Sequence, residues 1–287
     1  MRQNDLWIPA RDGFRLAATR FEPSGGSSGL VLINSAMATP RAFYRYFAMA
    51  LVEAGFTAIT WDYRGIGGSA PASLRGFDAR MRDWVLLDMA GVVDWVAREI
   101  SPDRLLMAGH SAGGQLAGML DRPELVHGMV TYSAQSGHWR MQGGGQKLAV
   151  FLHTYLTLPV LSHLFGYLPW GRLMGGEDVP KKVALEWAGW CRNRRYILGD
   201  ETLPLDRYAG FKAPVLAYSI DDDNWGTAAS VDAMMSAYPN LERRHIFPSR
   251  FNRKSVGHFG AFRKGSDSLW REAIKWLNAL APQAPPA

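Results

Sequence analysis

The sequence predicts an α/β fold with a mostly parallel central sheet and helices on both faces of that sheet. Short continuous apolar runs, such as residues 30–33 and 215–220, are typical of strands that are buried on both faces. Amphipathic helical patterns follow most of these runs, so strands and helices alternate along the chain. The 287 residues are 47% hydrophobic and 20% charged, which supplies enough apolar side chains for one sizeable core.

The first half of the chain shows this alternation most clearly. It opens with a predicted β-hairpin, since residues 6–10 and 14–21 flank an Asp-Gly turn. The elements predicted after the hairpin are a strand at 30–33, a helix at 40–54, a strand at 56–61, a helix at 78–100, a strand at 104–108, a helix at 112–120 and a strand at 126–132. Because parallel strands need crossover connections, we expect these helices to cover both faces of the sheet.

Residues 135–205 interrupt the alternation and predict an insertion. They are rich in Gly, Trp, Leu and Pro and contain no clear strand pattern. We therefore predict a core domain made of residues 1–134 and 206–287, with 135–205 covering the carboxyl ends of the strands, where ligands bind in open α/β sheets. The core resumes with a strand at 215–220, a helix at 228–237, a strand at 243–247 and a helix at 267–280, and the tail 281–287 is predicted to be disordered.

Composition and charge indicate which partners, which cellular compartment and which metal sites to expect. The net charge of +6 comes from scattered Lys and Arg, so we predict a solvated basic surface and no nucleic-acid binding. The single cysteine, Cys191, allows no intrachain disulfide, and no apolar leader follows Met1, so we expect a cytoplasmic protein. The chain contains no zinc-binding signature, and we predict no metal.

One apolar stretch, residues 148–170, is long enough for a membrane span. Pro159 would break a helix near the middle of this stretch, and His153, His163 and Gly166 interrupt its apolar character. We therefore predict a buried or pocket-facing pair of helices here, and no membrane span.

The sharpest chemical signal is Gly109-His110-Ser111-Ala112-Gly113. It follows the strand predicted at 104–108 and opens a helix, which is the context that a G-x-S-x-G nucleophile elbow requires. A tight turn between strand and helix projects the Ser111 hydroxyl from the sheet edge, and the helix N-terminus presents backbone N–H groups to a developing oxyanion. Ser111 is therefore the candidate nucleophile.

A base and an acid follow this nucleophile along the chain. His258 lies in a Gly-flanked loop after the last predicted strand, where it would reach the carboxyl edge of the sheet and accept the Ser111 proton. The carboxylates Asp221, Asp222 and Asp223 directly follow the strand at 215–220 and could orient that histidine. Ser, Asp and His in this order are typical of α/β-hydrolases and differ from both protease orders.

The chain resembles the α/β-hydrolase superfamily from the first hairpin to the last helix, and within it the serine-aminopeptidase-like and monoacylglycerol-lipase-like branch. Residues 62–69, Asp-Tyr-Arg-Gly-Ile-Gly-Gly-Ser, match the Asp-x-Arg-Gly-x-Gly-x-Ser turn of that branch. The acid of the branch ends a Gly-x-x-Asp that precedes a Pro by four residues. Ile220 and Thr227 stand at the Gly and Pro places, so the resemblance selects Asp223, with Asp222 as the alternative.

The resemblance also implies an oxyanion hole and a cap. Asn34-Ser35-Ala36-Met37 stands where the branch has a His-Gly-x loop. The implied oxyanion donors are therefore the backbone N–H groups of Ala36 and Ala112, with Met37 as the alternative to Ala36. The insertion at 135–205 would form a helical cap above Ser111, and its aromatic side chains suit an apolar acyl group.

These features predict a serine hydrolase that cleaves a carboxylic ester, or an amide, of a moderately hydrophobic acyl group without a cofactor. The expected partners are a small-molecule acyl substrate and an acyl-carrier or acceptor molecule. The alternatives are an acyltransferase using the same acyl-enzyme, a peptidase with an acidic anchor for the substrate amine, and a non-catalytic binding protein on the same fold. Residues 65–70 fit G-x-G-x-x-A, but the loop pattern after them disfavours dinucleotide binding.

Overall fold

The computed structural model describes residues 1–280 and contains an eight-stranded sheet with a separate two-stranded ladder. The strands are β1 (Arg2–Pro9), β2 (Arg15–Glu22), β3 (Leu30–Asn34), β4 (Thr57–Trp61), β5 (Leu105–His110), β6 (Gly128–Tyr132), β7 (Tyr167–Leu168), β8 (Val179–Pro180), β9 (Val215–Ile220) and β10 (Leu241–Ile246). The large sheet has the order β1-β2-β4-β3-β5-β6-β9-β10. Its last six strands are mutually parallel, and the β1–β2 hairpin joins β4 in antiparallel register. The predicted mostly parallel α/β sheet is confirmed.

Helices cover both faces of this sheet. The helices are α1 (Arg45–Glu53), α2 (Ala90–Trp95), α3 (Ala112–Leu116), α4 (Gln146–Leu152), α5 (Leu158–Phe165), α6 (Trp170–Met174), α7 (Lys181–Arg192), α8 (Arg207–Gly210), α9 (Ala228–Met235), α10 (Gly257–Gly260) and α11 (Asp267–Ala279). Successive strand side chains point to opposite faces, so Val31 and Ile33 pack with α1 and α11, whereas Leu30 and Leu32 pack with α2, α3 and α9. Two hydrophobic cores therefore sandwich the sheet.

The helix predicted at 78–100 begins later than its apolar pattern suggests. The helix starts at Trp84 with a π-helical turn, Trp84–Met89, and continues through α2 to a second π-helical turn, Val96–Ile100. Before it, the Asp83 carboxylate accepts the backbone N–H of Arg80 at 2.7 Å. This contact is one half of a capping box, so it fixes the start of the helix just after Arg80. The tail predicted to be disordered, 281–287, lies outside the described residues.

The segment between β6 and β9 carries helices α4 to α8 and the β7–β8 ladder. The ladder was not predicted, because two-residue strands give no periodic signal. The bounds 135–205 for the inserted domain stay a prediction.

One helix of this segment corrects the prediction made for residues 148–170. Helix α4, a π-helical turn (His153–Thr157) and α5 run on as one helix, Gln146–Phe165, long and apolar enough by composition to cross a membrane. Pro159 does not break the helix, because it is the second residue after a π-helical turn whose hydrogen bonds span five residues. Only 22% of the most apolar 18 residues of this helix are buried, and several of its leucines are exposed.

Candidate active site

The turn between β5 and α3 holds Ser111 in a strained backbone conformation. Its φ and ψ are 50° and −117°, a region that residues with side chains rarely adopt. The turn is also tightly packed, because a Cβ on Gly113 would lie 2.2 Å from the Asn34 backbone oxygen. A Cβ on Gly109 would lie 2.5 Å from Gly114 Cα. Small residues are thus a steric requirement, and the geometry is that of a nucleophile elbow.

His258 and Asp223 form a close pair beside this turn. His258 Nδ1 lies 2.8 Å from Asp223 Oδ2, and Asp223 Oδ1 accepts the backbone N–H groups of Trp225 and Gly226 at 2.9 Å. Burial on its own raises the pKa of Asp223, but the charge of His258 and these hydrogen bonds outweigh it and lower the pKa to about 2. An ionised Asp223 accepts the Nδ1 proton and leaves His258 Nε2 as the basic nitrogen.

The neighbouring carboxylate, Asp222, binds backbone instead of imidazole. Its two oxygens accept the N–H groups of Val256 at 2.8 Å and Gly257 at 2.9 Å. Both donors immediately precede His258 in the chain. Asp222 therefore anchors the loop that carries the base, whereas Asp223 contacts the base itself.

The Ser111 hydroxyl shares a pocket with His258 but makes its hydrogen bond elsewhere. Ser111 Oγ donates to Gln135 Oε1 over 3.4 Å, which is long for a hydroxyl donor. Within residues 1–280, no hydrogen bond joins Ser111 to His258. Catalytic hydrogen bonds often tighten only when substrate is bound, so transfer of the proton to His258 requires the hydroxyl to turn away from Gln135.

A chain of buried hydrogen bonds connects three loops of the site. The Ala36 backbone N–H donates to the Tyr44 hydroxyl oxygen at 2.8 Å, and that hydroxyl donates to His110 Nδ1 at 2.8 Å. His110 Nε2 in turn donates to the His258 carbonyl oxygen at 2.8 Å. Burial, with a contribution from the nearby His258, lowers the pKa of His110 to about 3, so this imidazole is neutral. Tyr44 lies in no motif, and His110 occupies an unspecified position of the Gly-x-Ser-x-Gly motif, so the sequence assigned a role to neither side chain.

This chain of bonds corrects the expectation for the oxyanion hole. The Ala36 N–H is occupied by Tyr44 and cannot donate to a substrate. Met37 lines the pocket, and in the described part of the chain its N–H has no hydrogen-bond acceptor. The same holds for the N–H of Ala112, the first residue of α3. Met37 and Ala112 therefore present the two free donors beside Ser111.

A family comparison agrees with this geometry. The model of the family described as serine aminopeptidase, S33, matches residues 25–178, more than half of the chain. The chain belongs to this α/β-hydrolase family. The match includes Ser111 and the oxyanion loop and ends before Asp223 and His258. The acid and the base of the site therefore rest on the contacts described above.

Individual relatives of the chain are distant in sequence. An uncharacterised protein of Mycobacterium tuberculosis is 30% identical over 117 residues, so the chain spans only 39% of that relative's length. An esterase from Exiguobacterium antarcticum shares 16% identity with a TM-score of 0.63, covering 96% of this chain and 100% of the esterase. Paleococcus ferrophilus monoacylglycerol lipase shares 14% identity with a TM-score of 0.61, covering 93% and 99%. At these identities the two structures show a common fold.

The pocket that Ser111 lines has a volume of about 120 Å³. Its apolar wall consists of Met37, Trp170, Trp187, Trp225 and Phe259. Two of these tryptophans come from the predicted insertion, as its aromatic composition indicated. The third follows β9, in a loop without any periodic pattern. Asp and Glu are absent from the described residues that line the pocket.

A second chain of hydrogen bonds forms the polar wall of the pocket. Trp187 Nε1 donates to the Tyr196 hydroxyl oxygen at 3.0 Å, and this hydroxyl donates to Gln115 Oε1 at 3.0 Å. Gln115 Nε2 then donates to Gln135 Oε1 at 3.3 Å. The oxygen of the Gln135 amide therefore faces Gln115 and the nucleophile, and its NH₂ group makes no hydrogen bond to any described residue.

The other candidate groups from the sequence, a metal site, Cys191 and the Gly-rich turn, are not part of this pocket. Among residues 1–280, no group of three or more His, Cys, Asp and Glu side chains could hold a metal ion. Cys191 is fully buried, and burial raises the pKa of its thiol well above the ordinary value. The Gly-rich turn forms a 3₁₀ turn, Gly67–Ser69, in place of the helix that dinucleotide binding requires.

Proposed function

We propose that this protein cleaves carboxylic esters of a short, moderately hydrophobic acyl group through an acyl-enzyme on Ser111. The observation that carries the proposal is the His258–Asp223 contact of 2.8 Å at the mouth of a pocket that also holds the strained Ser111. Two free backbone donors, from Met37 and Ala112, stand beside the same hydroxyl. Nucleophile, base, acid and oxyanion donors are thus all present within one site.

The reaction proceeds in two acyl transfers. His258 Nε2 takes the proton of Ser111 as Oγ attacks the ester carbonyl, and the N–H groups of Met37 and Ala112 stabilise the oxyanion. The imidazolium then gives this proton to the departing alkoxide, which leaves as the alcohol. Water attacks the acyl-enzyme with His258 again as base, and the acid is released as Ser111 recovers its proton.

The pocket supports an apolar acyl group in preference to a peptide with a free amine. Its wall is built of tryptophans, Met37 and Phe259, and the described lining residues supply no carboxylate to bind a substrate ammonium. The volume of about 120 Å³ is well below the roughly 300–1,000 Å³ of common ligand pockets, which favours a short acyl chain. The free NH₂ of Gln135 supplies one donor for a polar atom near the scissile bond.

A series of p-nitrophenyl esters from acetyl to lauroyl tests this function. We expect turnover of the short-chain esters, a fall in kcat/KM for the longest chains, and loss of turnover in Ser111→Ala. Equal hydrolysis by wild type and Ser111→Ala would exclude the proposed nucleophile. A preference for lauroyl would contradict the pocket assignment while leaving the nucleophile in place.

An acyltransferase would use the same acyl-enzyme and is separated by the same assay. Alcohol, amine and thiol acceptors are added, and the acid product is compared with the transfer product. Hydrolysis as the main path predicts that the acid dominates at moderate acceptor concentration. Dominant transfer to one acceptor would assign the enzyme to acyl transfer.

A further inference from the structure

The helix Gln146–Phe165 has an apolar exposed face. Its inner face consists of residues spaced four apart that are at most 1% exposed, namely Val150, Thr154, Leu158 and Ser162. Its outer face consists of another series with the same spacing that is 46–69% exposed, namely Leu148, Leu152, Leu156, Val160 and Leu164. A surface helix of a soluble protein places polar residues on this second face. Six of the ten large apolar side chains exposed in the described chain belong to this one helix.

The segment that carries the outer face has charge of a single sign. From Leu125 to Gly176 the sequence contains no Asp and no Glu. The same stretch carries three cations, Arg140, Lys147 and Arg172, which are exposed. Beyond it, the Arg192 guanidinium lies over the ring of Tyr155 in the middle of the helix. An exposed apolar strip on a segment whose charged side chains are all cationic is complementary to an apolar surface with anionic groups at its edge.

The packing of the helix and the charge of its segment limit which partner can contact the outer face. The inner face is packed against α7, whose Val183 and Ala184 are fully buried, so the helix cannot span a bilayer without leaving the protein. Pairing of the outer face with a second copy of itself would bring the two acid-free, cationic surroundings together, and this like-charge contact is unfavourable. A flat anionic surface requires neither the release of the helix from the protein nor a contact between like charges.

We propose that the outer face of this helix docks the protein on the surface of an anionic lipid bilayer. The five exposed aliphatic side chains enter the boundary between headgroups and acyl chains, and the surrounding Lys and Arg side chains bind lipid phosphates. The helix then lies in the plane of the membrane. This surface is independent of the pocket, because none of its five residues lines the pocket.

Sedimentation of the full chain with phosphatidylcholine vesicles, with and without phosphatidylglycerol, tests the proposal. We expect binding that requires phosphatidylglycerol and weakens with added salt. Leu156→Glu with Leu164→Glu should lower the partition coefficient at least about tenfold, because each change removes an aliphatic side chain from the lipid and adds a negative charge. The matched control is Trp7→Glu with Phe247→Glu, two exposed apolar positions elsewhere. This control makes the same change in net charge and should bind within about twofold of wild type.

Activity on a soluble ester and light scattering without lipid complete the test. Both double variants should keep wild-type activity, which shows that they are folded. Wild type that does not sediment with either vesicle, or equal losses in both double variants, would overturn the proposal. A dimer of wild type that dissociates in the outer-face variant, with vesicle binding unchanged, would assign the face to a second copy instead.

Discussion

Three adjacent carboxylates make different contacts around the catalytic base candidate, His258. Asp223 contacts the His258 imidazole, Asp222 holds the backbone just before it, and Asp221 is a side chain 56% exposed beside His245. Sequence alone could place all three after β9 but could not separate their roles, because adjacent residues in a turn point in different directions. The side-chain contacts in the structure distinguish the roles of the three carboxylates.

Substitution of each carboxylate by asparagine tests this division. Asp223→Asn should lower kcat on the order of 10³–10⁴-fold, because the amide no longer stabilises the imidazolium or its tautomer. Asp222→Asn should lower kcat by about tenfold or less, since one of its two backbone acceptors is kept and the loop shifts only slightly. Asp221→Asn is the control and should retain wild-type turnover. A larger loss in Asp222→Asn than in Asp223→Asn would reverse the two assignments.

The buried His110 makes stability depend on pH. Its pKa is about 3 in the folded protein, against an ordinary value near 6.5 in the unfolded chain. Between these values the unfolded chain binds the extra proton, so the contribution of His110 is present above pH 6.5 and is lost as the pH falls toward 3. We expect the stability difference between wild type and His110→Gln to fall by about 1.4 kcal/mol per pH unit in this window. Urea unfolding at several pH values measures this difference. Parallel plots of unfolding free energy against pH for the two proteins would contradict the prediction.

At the scale of elements, the Tyr44 hydroxyl connects the loop after β3, the elbow after β5 and the loop that carries His258. Tyr44 precedes α1 and is fully buried. Tyr44→Phe removes both of its hydrogen bonds and should lower kcat on the order of ten- to 100-fold with a smaller change in KM, because the reacting groups lose their alignment. Steady-state kinetics on a short-chain ester measures both constants.

Tyr63→Phe is the matched control for this change. Tyr63 is equally buried, and in the described part of the chain its hydroxyl has no hydrogen-bond partner. The control therefore removes the same atom without breaking a bond, and its kcat should stay within about twofold of wild type. Equal kinetic losses in the two variants would show that Tyr44 acts only as packing.

The elements themselves were predictable where they are long, apolar and periodic. The buried strands at 30–33 and 215–220 appear within a residue of the predicted bounds, because central strands of a parallel sheet have only apolar neighbours. Positions decided by one hydrogen bond were not predictable. The Asp83 contact fixes the start of the long helix, and the π-helical turn at His153–Thr157 lets the next helix continue through Pro159.

At the scale of the whole molecule, the Asp-x-Arg-Gly turn that marked the resemblance acts as a structural anchor. Arg64 forms ion pairs with the fully buried Asp88 and with Asp12, tying the first hairpin to the long helix. Burial raises the pKa of Asp88 to about 6 even against this arginine, so the pair is fully ionised only above that pH. The turn holds the fold together and lies outside the pocket.

Removal of one partner of this buried charge pair should lower the stability of the protein. Asp88→Asn leaves the guanidinium of Arg64 with only the half-exposed Asp12, and we expect a loss of about 3 kcal/mol in the free energy of unfolding above pH 7. Asp94→Asn, which removes two ion pairs near the surface, to Arg11 and to Arg122, should cost less than about 1 kcal/mol. Urea unfolding of both variants checks the contrast, and equal stabilities would contradict it.

Chain order and sheet topology made the central part of the site predictable. Ser111, Asp223 and His258 all follow parallel strands, whose carboxyl ends meet at one edge of the sheet. The oxyanion donor was not predictable, because a choice between Ala36 and Met37 depends on the Tyr44 hydroxyl, which no motif places. The exposed face of the helix Gln146–Phe165 was not predictable either, since an apolar sequence does not show which of its side chains lack a neighbour.

Covalent labelling with a fluorophosphonate probe tests the central claim most directly, because the probe reacts only with a serine whose hydroxyl is activated. Mass spectrometry of the digested protein should find one label per chain, on the peptide that contains Ser111. The label should be absent from Ser111→Ala and slowed in Asp223→Asn. No reaction with the folded wild-type protein, or a label that persists in Ser111→Ala, would contradict the assignment of Ser111 as the nucleophile.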